Sequence, residues 1–224
     1  MKKYLPAIIS GFIMCILPFL FATCNQITIT HYNEVHILEK PSQIDTSEYM
    51  RLTDSFNLTG IEIAGQQLGS LYPKYPIAVG KKSGFGSPSL YSFGCLNPTA
   101  YSLIVKVDST FRLANTLNDL KEIYAPIETK EEALSYVLTY TGREAQYEFT
   151  LENNYRTFVN TINTTSVAKK NDAYEVNLFD YQLCGCGPHS YLMFIYTINK
   201  NGDIIEKDFK KLYENPIEDG LCVD

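Results

Sequence analysis

A chain of 224 residues can bury one or two small cores, and its 45% apolar and 20% charged content is that of a globular protein. Its 17 Tyr and 12 Phe, with no Trp, lean the composition toward strands. A formal charge of −6 with no arginine cluster excludes a phosphate-neutralising surface, so nucleic acid is not an expected partner.

The chain opens with Lys2 and Lys3, then the uncharged run "YLPAIISGFIMCILPFLFAT", then Cys24. The run reaches the length of a membrane span, but Pro6, Gly11 and Pro18 interrupt it, which suits a removable signal as well as an anchor. The residues "LFATC" (20–24) resemble the lipobox of bacterial lipoproteins, with Thr23 where Gly, Ala or Ser is usual and Phe21 where Leu is usual. The resemblance implies that residues 1–23 are a signal peptide and that Cys24 receives lipid and becomes the mature N-terminus. It also implies a bacterial cell-envelope location, facing the periplasm or exterior, with the membrane as partner through that lipid. A cleaved secretory signal and an uncleaved anchor are the alternatives. All three place residues 25–224 outside the cytoplasm, where disulfides persist. Losing residues 1–23 removes Lys2 and Lys3, so the formal charge goes from −6 to −8.

Residues 24–45 read as a tether and first strand, since "ITITHYNEVHIL" (27–38) alternates. Residues 46–125 read as a loop-rich mixed part. "SEYMRLTDSF" (47–56) predicts a short helix opened by Asp45, Thr46 or Ser47, and "GIEIAG" (60–65) a short strand. From Gly65 to Pro98 the crowded Pro, Gly and Ser predict turns and irregular chain, including the flexible loop "GKKSGFGS", which lacks phosphate-loop spacing. "AYSLIVKVD" (100–108) predicts a strand, and "NDLKEIYAPI" a helix ending at Ala125 before the proline.

Residues 126–224 read as a helix plus antiparallel sheet, either separate or continuous with the preceding part as one domain over 27–224. In "TKEEALSYVLTYTG", Thr129 and Glu132 form a capping box. Ala133, Leu134, Val137 and Leu138 share a face, and Gly142 supplies the left-handed end. Strands are predicted at 145–151, 164–170, 173–182, 190–199 and 204–209, the last pair joined by an Asn-Gly turn. The fold class is therefore α+β, with the helix wrapped by a meander. A helix reading "EEAL" before strands closing on "NKNGDII" resembles PepSY or cystatin-like modules, a resemblance that implies a binding or inhibitory role.

"LCGCGPHS" (183–190) is the one stretch that invites chemistry. Cys184, Cys186 and His189 are soft donors suited to Zn(II) or Cu(I), but a zinc knuckle spaces its cysteines more widely, and His31, His36 or Cys95 would have to complete the site. Redox catalysis needs a reactive thiolate, usually at a helix N-terminus, and the pair sits between strands. The cysteine count favours a structural reading. With Cys15 removed and Cys24 lipidated, Cys95, Cys184, Cys186 and Cys222 remain, an even number that implies two disulfides. A 184–186 bond would strain a small ring, so Cys95 and Cys222 each take one loop cysteine, in either order. No Gly-x-Ser-x-Gly elbow occurs, and no catalytic residue or cofactor is assigned. Tyr72, Tyr75, Tyr91 and Tyr101 flank the Gly/Pro-rich stretch and either present contact area or pack a sheet. The expectation is an envelope-anchored binding or structural module, stapled by disulfides, for a protein or small-ligand partner; the alternative is a metal-binding protein using Cys184, Cys186 and His189.

Overall fold

The computed structural model describes residues 27–31, 43–63, 74–82, 88–152 and 154–224. Its regular structure begins with β1 (Thr28–Thr30), inside the stretch expected to alternate; residues 32–38 of that stretch lie outside the described ones. The Asp45 carboxylate accepts the Ser47 backbone N–H at 2.9 Å and opens a 3-10 turn (Thr46–Glu48) that runs into α1 (Tyr49–Phe56). Asn57, left-handed at φ 50°, ends this helix, as a short polar side chain can.

The first sheet is formed by β2 (Gly60–Glu62), β3 (Ile77–Lys82), β4 (Tyr91–Phe93), β5 (Thr99–Val107) and β6 (Thr110–Ala114). All neighbours are antiparallel. β5 pairs with β3 along one edge and with β4 and then β6 along the other. The structure corrects the reading of residues 65–98 as irregular, because β3 and β4 lie there and β3 is central. Ile77 to Gly80 are buried on both faces, so the strand shows no alternation. Ile77 and Val79 enter the main core, while Ala78 turns to the core under α1. A Cβ on Gly80 would lie 2.6 Å from Leu58 Cδ1, so glycine at this position admits the Leu58 side chain. The β5–β6 hairpin turns through Asp108 at φ 52°, the last residue of the expected strand, and β6 is a strand for which the sequence predicted no element.

α2 (Leu117–Tyr124) starts from a capping box in which Thr116 Oγ1 accepts the Asp119 N–H at 3.1 Å and the Asp119 carboxylate accepts the Thr116 N–H at 2.9 Å. It stops at Ala125, before Pro126, as expected. α3 (Lys130–Thr141) is capped by Thr129 and closed by Gly142 at φ 66°. Glu132, however, reaches the Glu128 N–H at 2.7 Å, one residue before the expected partner of the capping box. Every residue from Glu132 to Thr139 is buried, so α3 is covered all round and not on one face alone.

The second sheet follows: β7 (Arg156–Thr157), β8 (Thr161–Asn163), which pairs in parallel with β1 beside it, β9 (Ser166–Lys170) and β10 (Ala173–Tyr181). β11 (Gly185–Cys186), β12 (Ser190–Asn199), β13 (Ile204–Glu214) and β14 (Cys222–Val223) complete the order. The sheet runs β7–β13–β12–β10–β9, antiparallel throughout, and β11–β14 form a separate small ribbon. The expected hairpins are present, and β13 continues to Glu214, beyond the expected end at 209. The strand expected at 145–151 is absent. Glu144 makes a single antiparallel bridge to Phe179 of β10 and Gln146 O accepts the Thr165 N–H at 2.8 Å, but the chain then leaves the sheet, and Phe149 and Leu151 pack against a core cluster without joining a ladder.

Layer by layer, α1 covers one face of the first sheet; α2 and α3 lie in the main core with residues of both sheets; and the far face of the second sheet carries a third cluster around Phe179, Met193, Leu212 and Ile162. The main core draws on Leu103 and Val105 from one side and on Val176 and Leu178 from the other. Each such fully buried aliphatic side chain contributes about 1.5–3 kcal/mol of transfer free energy. This is an α+β architecture with a curled antiparallel sheet in its C-terminal half.

Candidate functional site

The loop between β10 and β12 carries the stretch 183–190, and the fold brings two distant pieces of chain to it. Cys95, in the turn between β4 and β5, is bonded to Cys184, 89 positions away. Cys186 is bonded to Cys222, 36 positions away and its direct register partner in the β11–β14 ribbon. Of the two orders left open by the sequence, the fold selects this one. Between the two cysteines Gly185 takes φ 97°, which turns neighbouring sulfurs toward different partners. Gly187 is needed for another reason: a Cβ there would stand 2.2 Å from the Glu218 carbonyl oxygen. Its own N–H donates to Leu221 O at 2.8 Å.

His189 is only 1% exposed. Its Nδ1 lies 2.9 Å from Gln182 O and its Nε2 3.1 Å from Leu221 O, so the ring bridges the loop to the C-terminal tail. A carbonyl oxygen can only accept, so in such a contact it is a ring N–H that donates. The metal reading fares poorly against this arrangement. The sulfurs of Cys184 and Cys186 are bonded to other sulfurs, and no group of three or more His, Cys, Asp or Glu among the described residues is placed to hold an ion. His31 Nδ1 stands 3.3 Å from Tyr147 O, and His36 lies outside the described residues, as does Cys24.

Around the loop, charged groups tie down the tail. The Glu214 carboxylate, on β13, accepts from Ser190 Oγ at 3.0 Å and Arg156 Nη1 at 2.7 Å, and pairs with Lys211. Burial pushes its pKa up, but the hydrogen bonds from Lys211, Arg156 and Ser190 outweigh that and hold it below its ordinary value of 4.5. Arg156 Nη2 also donates to Asp219 at 2.7 Å, and Tyr181 Oη donates to Glu218 at 2.9 Å. A carboxylate held ionised among these donors is a structural acceptor and a poor general base.

The sequence reading missed a row of tyrosines beside the loop. Tyr181 on β10, Tyr191 on β12, Tyr213 on β13 and Tyr155 just before β7 stack in sheet order, with ring centroids 4.4, 4.4 and 5.5 Å apart. The signal was a tyrosine at corresponding ends of three strands, which becomes a row only once register is known. The tyrosines singled out earlier behave otherwise. Tyr91 is buried and donates to Thr139 O, Tyr75 and Tyr101 pack on the main core, and Tyr72 lies outside the described residues. Of the glycine-rich run 80–87, residues 80–82 are the end of β3, and 83–87 lie outside the described residues.

A separate concavity of about 290 Å³ opens between α2 and the β12–β13 turn, lined by Leu117, Asn118, Lys121, Tyr140 and Asp203 among others. Lys121 and Asp203 pair with each other there, and Asp203 also accepts from Asn199 Nδ2 at 3.0 Å. Its charged groups are thus satisfied internally. Taken together, the loop at 183–190 is a clamp: two disulfides, a ribbon, a buried imidazole and an ion-pair network converge on one tail. Compared with known protein families, curated proteins and solved structures, the chain matches none.

Proposed function

We propose that this protein is a lipid-anchored module of the bacterial cell envelope, exported through its N-terminal signal, held at the membrane by Cys24, and serving as a non-catalytic binding or structural component. The observation that carries the reading is the pairing of Cys95 with Cys184 and Cys186 with Cys222. Two disulfides joining distant segments are stable in an oxidising compartment and rare in a reducing cytosol. They complement the leader, which ends in a cysteine that has no partner to spare among the other four. The binding reading is further supported by how the charged groups of the clamp are spent on each other, which leaves recognition to surface shape and apolar contact. Leu96, Leu183 and Leu221, each next to a bonded cysteine, are 71%, 42% and 44% exposed.

Intact mass of the protein extracted from membranes tests this directly. The expected mass lacks residues 1–23, carries a diacylglycerol adduct and gains four protons on reduction. A chain with an intact leader, or with four free thiols, would overturn the reading.

A further inference from the structure

Only Asn25, Gln26 and Ile27 separate Cys24 from β1. β1 itself is fastened: the Thr28 N–H donates to Asn160 O at 2.9 Å, the Thr164 N–H donates to Thr30 O at 2.9 Å, and Thr28–Thr30 pair in register with Thr161–Asn163. From the Cα of Cys24 to that of Thr28 an extended chain spans at most about 14 Å. A globular body of this size is about 40 Å across. A lipid on Cys24 therefore holds one side of the molecule at the bilayer and keeps the opposite side away from it.

The surface beside β1 suits that position. Phe158, two residues before the Asn160 carbonyl that anchors β1, is 47% exposed, and its N–H donates to Leu212 O at 2.9 Å. The Lys211 amine lies 4.3 Å over the Phe158 ring. Lys210 is exposed and registers opposite Met193, so it shares the face on which Met193, Ile27 and Val159 pack together. An exposed aromatic ring with one lysine amine over it, and a second lysine on the neighbouring face of the same strand, suits headgroup level, where the ring enters the interface and the cationic side chains reach toward water. α1 lies on the far face of the other sheet, with Met50 83% exposed.

We propose that the β1–β8 side of the second sheet, with Phe158, Lys210 and Lys211, rests on the lipid headgroups, and that the molecule presents its α1 side away from the membrane. This rests on the lipid-anchored reading above. The chain has no tryptophan, so F158W and M50W each create a single fluorescent reporter. Each full-length variant, purified from membranes with its mass determined, is reconstituted into phosphatidylcholine–phosphatidylglycerol vesicles containing brominated phosphatidylcholine. F158W is expected to lose more than half of its emission and M50W to keep nearly all of it. K210W provides a second probe, on the face of the second sheet that carries Met193 beside β1, and is expected to behave as F158W does. A long Gly/Ser insertion between Gln26 and Ile27 should bring F158W down to the M50W level of quenching. Lipidated protein in which the β1-side probes are quenched no more than M50W overturns the orientation while leaving the anchor intact. Absence of the diacylglycerol adduct overturns both.

Discussion

In the first sheet, β3 and β5 are covered on both faces by side chains alone, from α1 on one side and the main core on the other. In the second sheet, the end that carries Tyr181, Tyr191 and Tyr213 is instead closed by covalent bonds, a buried imidazole and ion pairs holding a ten-residue tail after β13 near β10 and β12. The contrast follows from chain connectivity. β3 and β5 have neighbours on both edges and both faces, whereas the tail has too few apolar residues to hold itself down. A segment that cannot bury enough apolar surface to offset its ordering entropy needs another constraint.

Removing each disulfide breaks the comparison most forcefully. C95S/C184S opens a closure spanning 89 positions, and C186S/C222S one spanning 36. The chain-entropy model gives losses of about 4.6 and about 3.8 kcal/mol respectively. Urea unfolding of both double variants checks the order, and a larger loss for the second pair would show that the tail contacts, not loop closure, dominate.

Glycine replacements sharpen the same contrast. Gly187→Ala drives a Cβ to 2.2 Å from the Glu218 backbone oxygen, whereas Gly80→Ala meets the Leu58 side chain at 2.6 Å. Backbone cannot yield as a leucine rotamer can, so G187A should cost about 3 kcal/mol and G80A about 1 kcal/mol. Equal losses in thermal unfolding would mean that the clamp is as adaptable as the core.

The Glu214 network comes next. Its carboxyl titrates below its ordinary value in the folded chain, so the stability it supplies is present above about pH 4.5 and is lost as pH falls through the depressed value. Glu214→Gln should lower stability by about 2 kcal/mol at neutral pH and flatten the acid limb of the stability profile. An unchanged acid limb would place the acid-sensitive groups elsewhere.

The smallest effect is a gain. Tyr136 Oη is buried in the main core without a hydrogen-bond partner among the described residues, so Tyr136→Phe should stabilise by up to about 1 kcal/mol. Tyr174→Phe, which deletes a 2.5 Å bond to Glu128 O, should instead lose about 1 kcal/mol. Calorimetry of the two variants should show melting temperatures moving in opposite directions.

Local signals were legible where one residue type performs one job. Thr129 caps α3, Gly142 ends it, and the Asn-Gly turn places β12 against β13. β3 was hidden because burial on both faces erases the alternation that marks a strand, and Pro76 before it and Gly80 within it read as loop. The segment 145–151 misled in the opposite way. Its alternation is real, but Phe149 and Leu151 use it to enter a core without a strand partner. In the clamp, the cysteine arithmetic pointed to two disulfides, yet the tyrosine row and the Glu214 network depend on register between strands far apart in sequence.

By itself, the sequence determined the helix caps, the turns, the α+β class and the even set of four bonding cysteines, because each depends on dihedral preference or composition within a few residues. Only the tertiary structure decided which cysteine meets which, that His189 lies between two carbonyl oxygens and that β3 is central. Those outcomes depend on which edges and faces remain free once the other strands have paired, a property of the assembled sheets and not of any local stretch.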